Sequence, residues 1–354
     1  MATIETGTST RQQNTTTVKR PLGVAPLVRA IVAASLTALL LWQSDPRAVW
    51  QAARGADWRF ILLACALVAI DRVLMAYRWW TLLSPLDSAG TVGSADFQVG
   101  RRPAVRTVMR IFFVSTFVGT FLPASIGGDT VRAYELSKEG VGGVDAVASV
   151  MVDRLLGVVS ILIVAIAGSM LARDLIDIRT LFPALAVLTI ACAAALAVVF
   201  SPRAAVAVAG VLTLLPRGRE TGARLVTAIQ RYASLHFAMA NVLLCSIAVQ
   251  VLRVLQTYCL GLALGLAVPL GVYFALVPLI LLIVLMPITI NGIGTTQAGF
   301  MWLFGRAGVG SAPAFALSVL FLGIAVVGNL PGGVLYVFGL KGSDPVPNRR
   351  GQTP

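Results

Sequence analysis

Two groups of charged residues stand in stretches of chain that are otherwise apolar, and any chemistry this protein performs has to be sought there first. Asp129, Arg132 and Glu135 follow the block Pro123-Ala124-Ser125-Ile126-Gly127-Gly128, and Asp153 and Arg154 sit together at the start of a long apolar run. Arg132 follows a Gly-Gly turn at an expected helix start. Free backbone N–H groups and a planar guanidinium there suit an anionic group such as a lipid phosphate. The competing assignment is an ion pair of Arg132 or Arg154 with Asp129 or Asp153. A charge near the centre of a membrane helix costs about 2.5–3.5 kcal/mol on insertion scales, so either role is better supported than an accident of sequence.

The block recurs. Pro287-Ile288-Thr289-Ile290-Asn291-Gly292-Ile293-Gly294 follows another apolar segment about 165 residues later, and similar Gly-rich turns come downstream of both blocks, from Gly140 and from Gly308. Proline removes a backbone donor and glycine loosens helical geometry, so Pro123, Gly127 and Gly128, and likewise Pro287, Gly292 and Gly294, are expected to break helices inside the membrane. Freed backbone groups find no partner in lipid, so such breaks belong where protein or a watery cavity surrounds them. Paired breaks in corresponding positions point to a transport site between repeats. Two ordinary Pro-Gly loops at the membrane surface are the plain alternative. The second block carries Asn291, Thr295, Thr296 and Gln297, polar but uncharged, with Arg306 as the nearby cation. Gln250 and Arg253, in the middle of another apolar segment, form a further polar patch that either faces the same cavity or links helices.

Catalytic patterns are missing from the sequence: it has one histidine, His236, and no Asp-x-Asp, His-Glu-x-x-His, Walker or Gly-x-Ser-x-Gly motif. Cys65, Cys192, Cys245 and Cys259 lie in apolar stretches without the paired short spacing of a zinc or redox site, and read as small buried hydrophobes. The expectation is therefore a protein without enzymatic activity, cofactor or metal.

What must position these residues is a membrane bundle. The chain is 57% apolar and 12% charged, with a mean hydropathy of +0.86, far from the roughly 25% charged residues of soluble domains. Its apolar stretches approach the roughly 20 residues needed to cross a bilayer and are uniformly apolar, which selects an all-α polytopic transmembrane bundle over a β-barrel. Spans are expected over Leu22–Trp42, Phe60–Leu83, Val150–Leu171, Leu181–Phe200, Ala238–Leu266, Leu270–Met286 and Ala312–Leu340, with Ile111–Phe121 too short to cross comfortably. The first is expected to be a retained span and not a signal peptide. Tyr77-Arg78-Trp79-Trp80 closes the second span and reads as an aromatic belt with a snorkelling arginine, a substrate role being the alternative.

The formal charge of +13 is not a nucleic-acid signature, because the arginines cluster between the spans as the positive-inside rule requires. The expected organisation is a disordered cytoplasmic tail over 1–20, one transmembrane domain over 21–340, and a second tail over 341–354. Within the domain, repeat-like blocks cover about 111–172 and 270–340, and a basic cytoplasmic linker covers about 201–236. The location expected is the inner (plasma) membrane.

At "FLPASIGGDTVRAYELSK", "VASVMVDRLLG", "MPITINGIGTTQAGF" and "NLPGGVLYVF" the chain resembles the transmembrane, flippase-like domain of the lysylphosphatidylglycerol synthase family. That family also includes stand-alone archaeal and bacterial proteins linked to lipid-carried sugars or hopanoids. Members that synthesise an aminoacylated lipid carry a large soluble transferase after the membrane part, and here about 14 residues follow Leu340, so synthase activity is not implied. The resemblance implies paired broken helices and the binding or translocation of a polar-headed lipid. Many members have Arg-Glu where this chain has Thr296-Gln297, which leaves the headgroup open.

The reading from sequence is a lipid-binding or lipid-flipping membrane protein with Asp129, Arg132, Asp153, Arg154, Asn291 and Gln297 around a central cavity. Its partners are membrane lipids. A non-catalytic accessory subunit working with a partner enzyme of lipid or glycan metabolism is the first alternative, and a membrane-embedded lipid-modifying enzyme the second. The arginine bias places both termini and the loop 201–236 in the cytoplasm. A cysteine introduced as Gly218→Cys is accordingly expected to react with an impermeant maleimide only after cells are permeabilised. Labelling of intact cells from outside would reverse the orientation.

Overall fold

The structure, a computed structural model, describes residues 54–83, 103–121, 127–173, 182–212, 219–285 and 292–339, together with Arg47, Trp50 and Gln51. The expected first span, both tails and the residues Pro123, Pro287 and Asn291 lie outside the described residues.

Every regular element described is a helix: α1 (Trp58–Leu82), α2 (Val105–Phe121), α3 (Gly127–Lys138), α4 (Gly143–Leu171), α5 (Phe182–Phe200), α6 (Pro202–Leu212), α7 (Arg219–Gln230), α8 (His236–Ala263), α9 (Leu270–Leu285), α10 (Thr295–Arg306) and α11 (Ser311–Gly339). Among the described residues α1, α4, α8 and α11 are long and apolar enough to cross a membrane, and α5 with α6 makes a broken pair bent by 103°.

Residues 201–236, expected as a linker, are largely helical. Pro202 opens α6, a position where its missing N–H costs nothing, and the Ala204 amide donates to Ser201 Oγ at 3.5 Å. In α7 the residues between the arginines include Ala228 and Ile229, which are buried with Tyr232 in one cluster with Val152 and Leu156 of α4, and Leu225, which packs against it. This apolar seam orders a segment whose arginine count alone had suggested a solvated loop.

The duplication is a property of the fold. Helices α2, α3 and α4 contain 17, 12 and 29 residues, and α9, α10 and α11 contain 16, 12 and 29. The starts of α3 and α10 (127, 295) and of α4 and α11 (143, 311) are offset by the same 168 residues. Each unit is preceded by one long helix, α1 or α8, so the repeat is larger than the blocks read from sequence.

The two halves are inverted. Helices α1 and α8 pack along each other and run antiparallel: the Asp57 amide donates to the Ala263 carbonyl, Asp71 pairs with Arg253, and Arg78 reaches Ser246. Equivalent helices running in opposite senses define a pseudo-two-fold axis in the membrane plane. The halves also exchange their long helices, since α4 packs on α9 and α11 on α2. Each crossing is closed by a glycine. A Cβ at Gly168 would strike the carbonyl oxygen of Phe274, and one at Gly332 the carbonyl oxygen of Phe113. Without a hydrophobic force between helices in lipid, this backbone approach is what holds them together.

Gly168→Ala is therefore expected to destabilise the detergent-solubilised protein by about 1–3 kcal/mol through overpacking. Gly323→Ala, in the same kind of helix but facing open space, should be neutral or stabilising by up to about 1 kcal/mol. Thermal unfolding of the two variants checks the pair, and equal melting temperatures would remove the glycine crossing from the account of stability.

Candidate functional site

Four helices deliver the charged side chains. Asp71, Arg72, Met75 and Arg78 recur at three- and four-residue intervals on α1, and therefore share one face. Gln250, Arg253 and Gln256 do the same on α8. Helix α3 brings Asp129 and Arg132 and is set against α2 by Gly128, where a Cβ would stand 3.0 Å from the Ser115 carbonyl oxygen. Helix α4 brings Asp153, Arg154 and Gly157. The Arg78 guanidinium lies beside Gly157, 3.7 Å from where a Cβ would be.

Each carboxylate is held by arginine. Asp153 lies between two guanidiniums, Arg78 Nη2 at 2.8 Å from Oδ1 and Arg132 Nη1 at 3.2 Å from Oδ2. Arg78 Nη1 also donates to Ser246 Oγ at 2.9 Å, and Ser246 donates on to the Val242 carbonyl at 2.6 Å. The Arg132 guanidinium sits 4.7 Å from the Phe112 ring centroid and 5.0 Å from that of Trp79, so aromatic faces replace part of its lost hydration. Asp71 repeats the pattern, with Arg72 Nη1 at 3.1 Å and Arg253 Nε at 3.3 Å. Asp129 pairs with Arg154, whose side chain is 45% exposed.

These groups border one cavity of about 330 Å³ between the halves. Among the described residues its lining includes five arginines (72, 78, 132, 154 and 253) against three aspartates (71, 129 and 153), an excess of two positive charges. Gly128 and Asp129, beside the first expected break, face it together with Leu285 and Thr296, which flank the second. Residues adjoining both expected breaks thus face one space, while Pro123 and Pro287 themselves lie outside the described residues. Leu281, Val284, Phe321 and Leu322 give the second half an apolar wall. Several residues of the lining have a buried polar atom without a hydrogen-bond partner among the described residues, among them Arg72 Nε, Arg78 Nε, Arg132 Nε, Gln256 Nε2 and Asn329 Oδ1. Such atoms carry a desolvation cost.

Four of the six residues expected at the site line this cavity: Asp129, Arg132, Asp153 and Arg154. Asn291 lies outside the described residues. Gln297 is buried in the cap of α10, where its Oε1 accepts from the Gly294 amide at 2.6 Å. Gly292 and Gly294 form the turn before α10 with φ of 75° and 87°, values that favour glycine. Thr295 and Thr296 both donate to the Gly292 carbonyl, at 3.0 and 2.7 Å. Gly127 and Gly128 begin α3.

Arg78 corrects the reading from sequence. Expected to snorkel at an interface, it is 4% exposed, because Asp153, Ser246 and the space beside Gly157 offer it better partners inside. Gln250 and Arg253, left open, face the cavity. Asp71, Arg72, Gln256 and Asn329 were missed. A signal existed, for Ile70-Asp71-Arg72-Val73-Leu74 repeats the pattern of Val152-Asp153-Arg154-Leu155-Leu156 in a second apolar helix. Among the described residues no group of three or more His, Cys, Asp or Glu side chains is arranged to hold a metal ion.

An all-helical membrane protein of two inverted halves around a charged central cavity is the class that this fold and site define. The chain belongs to the family of the lysylphosphatidylglycerol synthase TM region, whose family model matches residues 27–332. It is also similar to a UPF0104 membrane protein of Pyrococcus horikoshii, with 27% identity over 136 residues, 38% of this chain and 37% of that protein. The match thus spans little more than a third of the relative's length. No solved structure matches the chain.

Removing Asp153 should be costly, since Asp153→Asn leaves Arg78 and Arg132 buried side by side without a carboxylate. A loss of about 3–5 kcal/mol is expected. Asp129→Asn should cost under about 1 kcal/mol, because Arg154 can turn to solvent. Unfolding of the two variants in detergent, compared under one condition, checks the order; a larger loss for Asp129→Asn would refute it.

Proposed function

We propose that this protein binds, and carries between the leaflets, a lipid whose polar head bears a phosphate or a similar anion. The observation that carries the reading is the excess of guanidinium over carboxylate on the cavity between inverted halves. A low-dielectric cavity with net positive charge strongly favours an anion, and the apolar wall from α9 and α11 suits the part of a lipid that a soluble anion lacks. Inverted repeats with their broken segments at one central site are the architecture from which alternating access is built. Membership of the family is consistent with this reading. Placement in the plasma membrane, with both termini and the α6–α7 region in the cytoplasm, belongs to the same proposal and rests on the arginine bias.

Arg132 is the residue to test. Arg132→Gln leaves Asp153 paired with Arg78, so the fold should survive while one anion donor is lost. Lipids copurifying with the wild-type protein should be enriched in anionic species over the host membrane, and Arg132→Gln should lower that enrichment about threefold, as the loss of one hydrogen-bonded contact would. Arg132→Lys should fall between, because it keeps the charge and loses the planar fork. Mass spectrometry of bound lipids reads all three. Copurified lipid indistinguishable from the host membrane would sink the proposal and favour an accessory role for the protein.

A further inference from the structure

The cavity holds two arginine groups of the same composition, and only the one around Asp153 was read from the sequence. In that group one carboxylate lies between Arg78 and Arg132; in the other, Asp71 lies between Arg72 and Arg253. Each therefore carries a net charge of one positive unit. Each also includes lining residues with a buried N–H that has no hydrogen-bond partner among the described residues: Arg78 Nε and Arg132 Nε in the first, Arg72 Nε and the Gln256 amide Nε2 in the second. Gln256 is 4% exposed and stands one turn beyond Arg253 on α8. Ion pairing that served stability alone would have no reason to leave both groups positive beside the same cavity.

Their separation follows from the helices. Asp71 and Arg78 are seven residues apart on α1, as are Ser246, which holds Arg78, and Arg253 on α8. At 1.5 Å per residue the groups are offset by about 10 Å along helices that cross the membrane. That offset is too long for two charges on one phosphate and lies along the direction a translocated headgroup must travel.

We propose that the Asp71–Arg72–Arg253 group is a second anion station, and that the two groups are successive resting places for one monoanionic phosphodiester headgroup. This rests on the reading of the cavity as an anionic-lipid site and adds to it a charge class and a path. A phosphodiester brings one negative charge and neutralises whichever group it occupies. A phosphomonoester, at close to two negative charges near neutral pH, overfills either. The headgroup moves between two equivalent environments, each of which binds it without trapping it.

Photolabelling tests this. Phosphatidylglycerol carrying a diazirine on its glycerol headgroup is incorporated with the purified full-length protein, irradiated, and the adducts are mapped by mass spectrometry. A phosphatidylcholine with the same photogroup is the control. Wild-type protein should be labelled at two places, one around Met75 and Arg253, the other around Arg78 and Gly157. Arg253→Gln leaves a neutral Asp71–Arg72 pair, and Arg78→Gln a neutral Asp153–Arg132 pair, so neither strands a buried carboxylate. Each should reduce labelling at its own place about tenfold, the effect of one charge-assisted hydrogen bond, and leave the other place largely unchanged. A single labelled place in the wild type, or loss of both places in either variant, would mean one composite site and overturn the second station. The wild-type map decides this even where a variant does not fold. Labelling no stronger than that of the phosphatidylcholine control would remove the anionic-lipid reading itself, an outcome distinct from the loss of one station.

Discussion

A buried carboxylate shared between two guanidiniums is the interaction on which the arrangement of this bundle turns. Asp153 is fixed on α4, yet the groups that satisfy it come from α1 and α3, and Arg78 is tied in turn to α8 through Ser246. Four helices thus meet on one charge. Ionic groups away from water recover their hydration energy only when geometry and extra hydrogen bonds are good, and removal of one partner leaves the others uncompensated. That requirement sets the register of α1 against α4 and α8 more sharply than apolar contact does, because lipid tails compete with every aliphatic surface the helices present. The aromatic faces of Phe112 and Trp79 complete the shell around Arg132.

The same physics explains why the centre is a cavity. Glycines at 168 and 332 bring α4 onto α9 and α11 onto α2 until backbone meets backbone, and these two close crossings hold the halves together around the space between them. Breaks in the helices are tolerable there because the turn before α10 satisfies its own groups: Thr295 and Thr296 use the Gly292 carbonyl, and Gln297 uses the Gly294 amide. A broken helix facing lipid would have no such partners. The tight crossings and the polar turn are therefore two parts of one solution, a rigid frame around a space where backbone can afford to be irregular.

Much of this was legible in the chain. Apolar stretches of membrane length located α1, α4, α8 and α11, and the repeated Pro-Gly blocks located the inverted halves, since Pro and Gly act on local backbone geometry that needs no tertiary context. Side-chain partners were harder to read. Arg78 beside Tyr77, Trp79 and Trp80 has the composition of an interfacial belt, and only the placement of Gly157 and Ser246 on other helices turns it inward. Gln297 looked available for a ligand and is spent on a helix cap. The helices within 201–236 were not read for a related reason: the arginines were weighed and the Leu225, Ala228 and Ile229 seam between them was not. Asp71 and Arg72 were open to discovery from sequence, since the rule that exposed Asp153 and Arg154 applies equally to them.

The inverted repeat supplies a comparison that separates stability from function. The 168-residue offset between the halves carries Arg132 onto Phe300 and Asp153 onto Phe321. Those two phenylalanines touch, with ring centroids 5.4 Å apart. The same pair of positions on the same pair of helices is thus an ion pair in one half and an aromatic contact in the other. Asp129 and Arg154, also paired, correspond to Gln297 and Leu322. Replacement of a buried ion pair by well-packed apolar residues is often neutral or stabilising by about 1–4 kcal/mol, and the second half demonstrates that this scaffold accommodates the apolar solution. The need to join a short helix to a long one is met without charge in α10 and α11, so it does not account for the charges in α3 and α4. What does account for them is the face they share with the cavity. Helices α3 and α4 present charged groups to that cavity and α9 and α11 a largely apolar wall, while Arg253 of α8 adds a guanidinium from the second half.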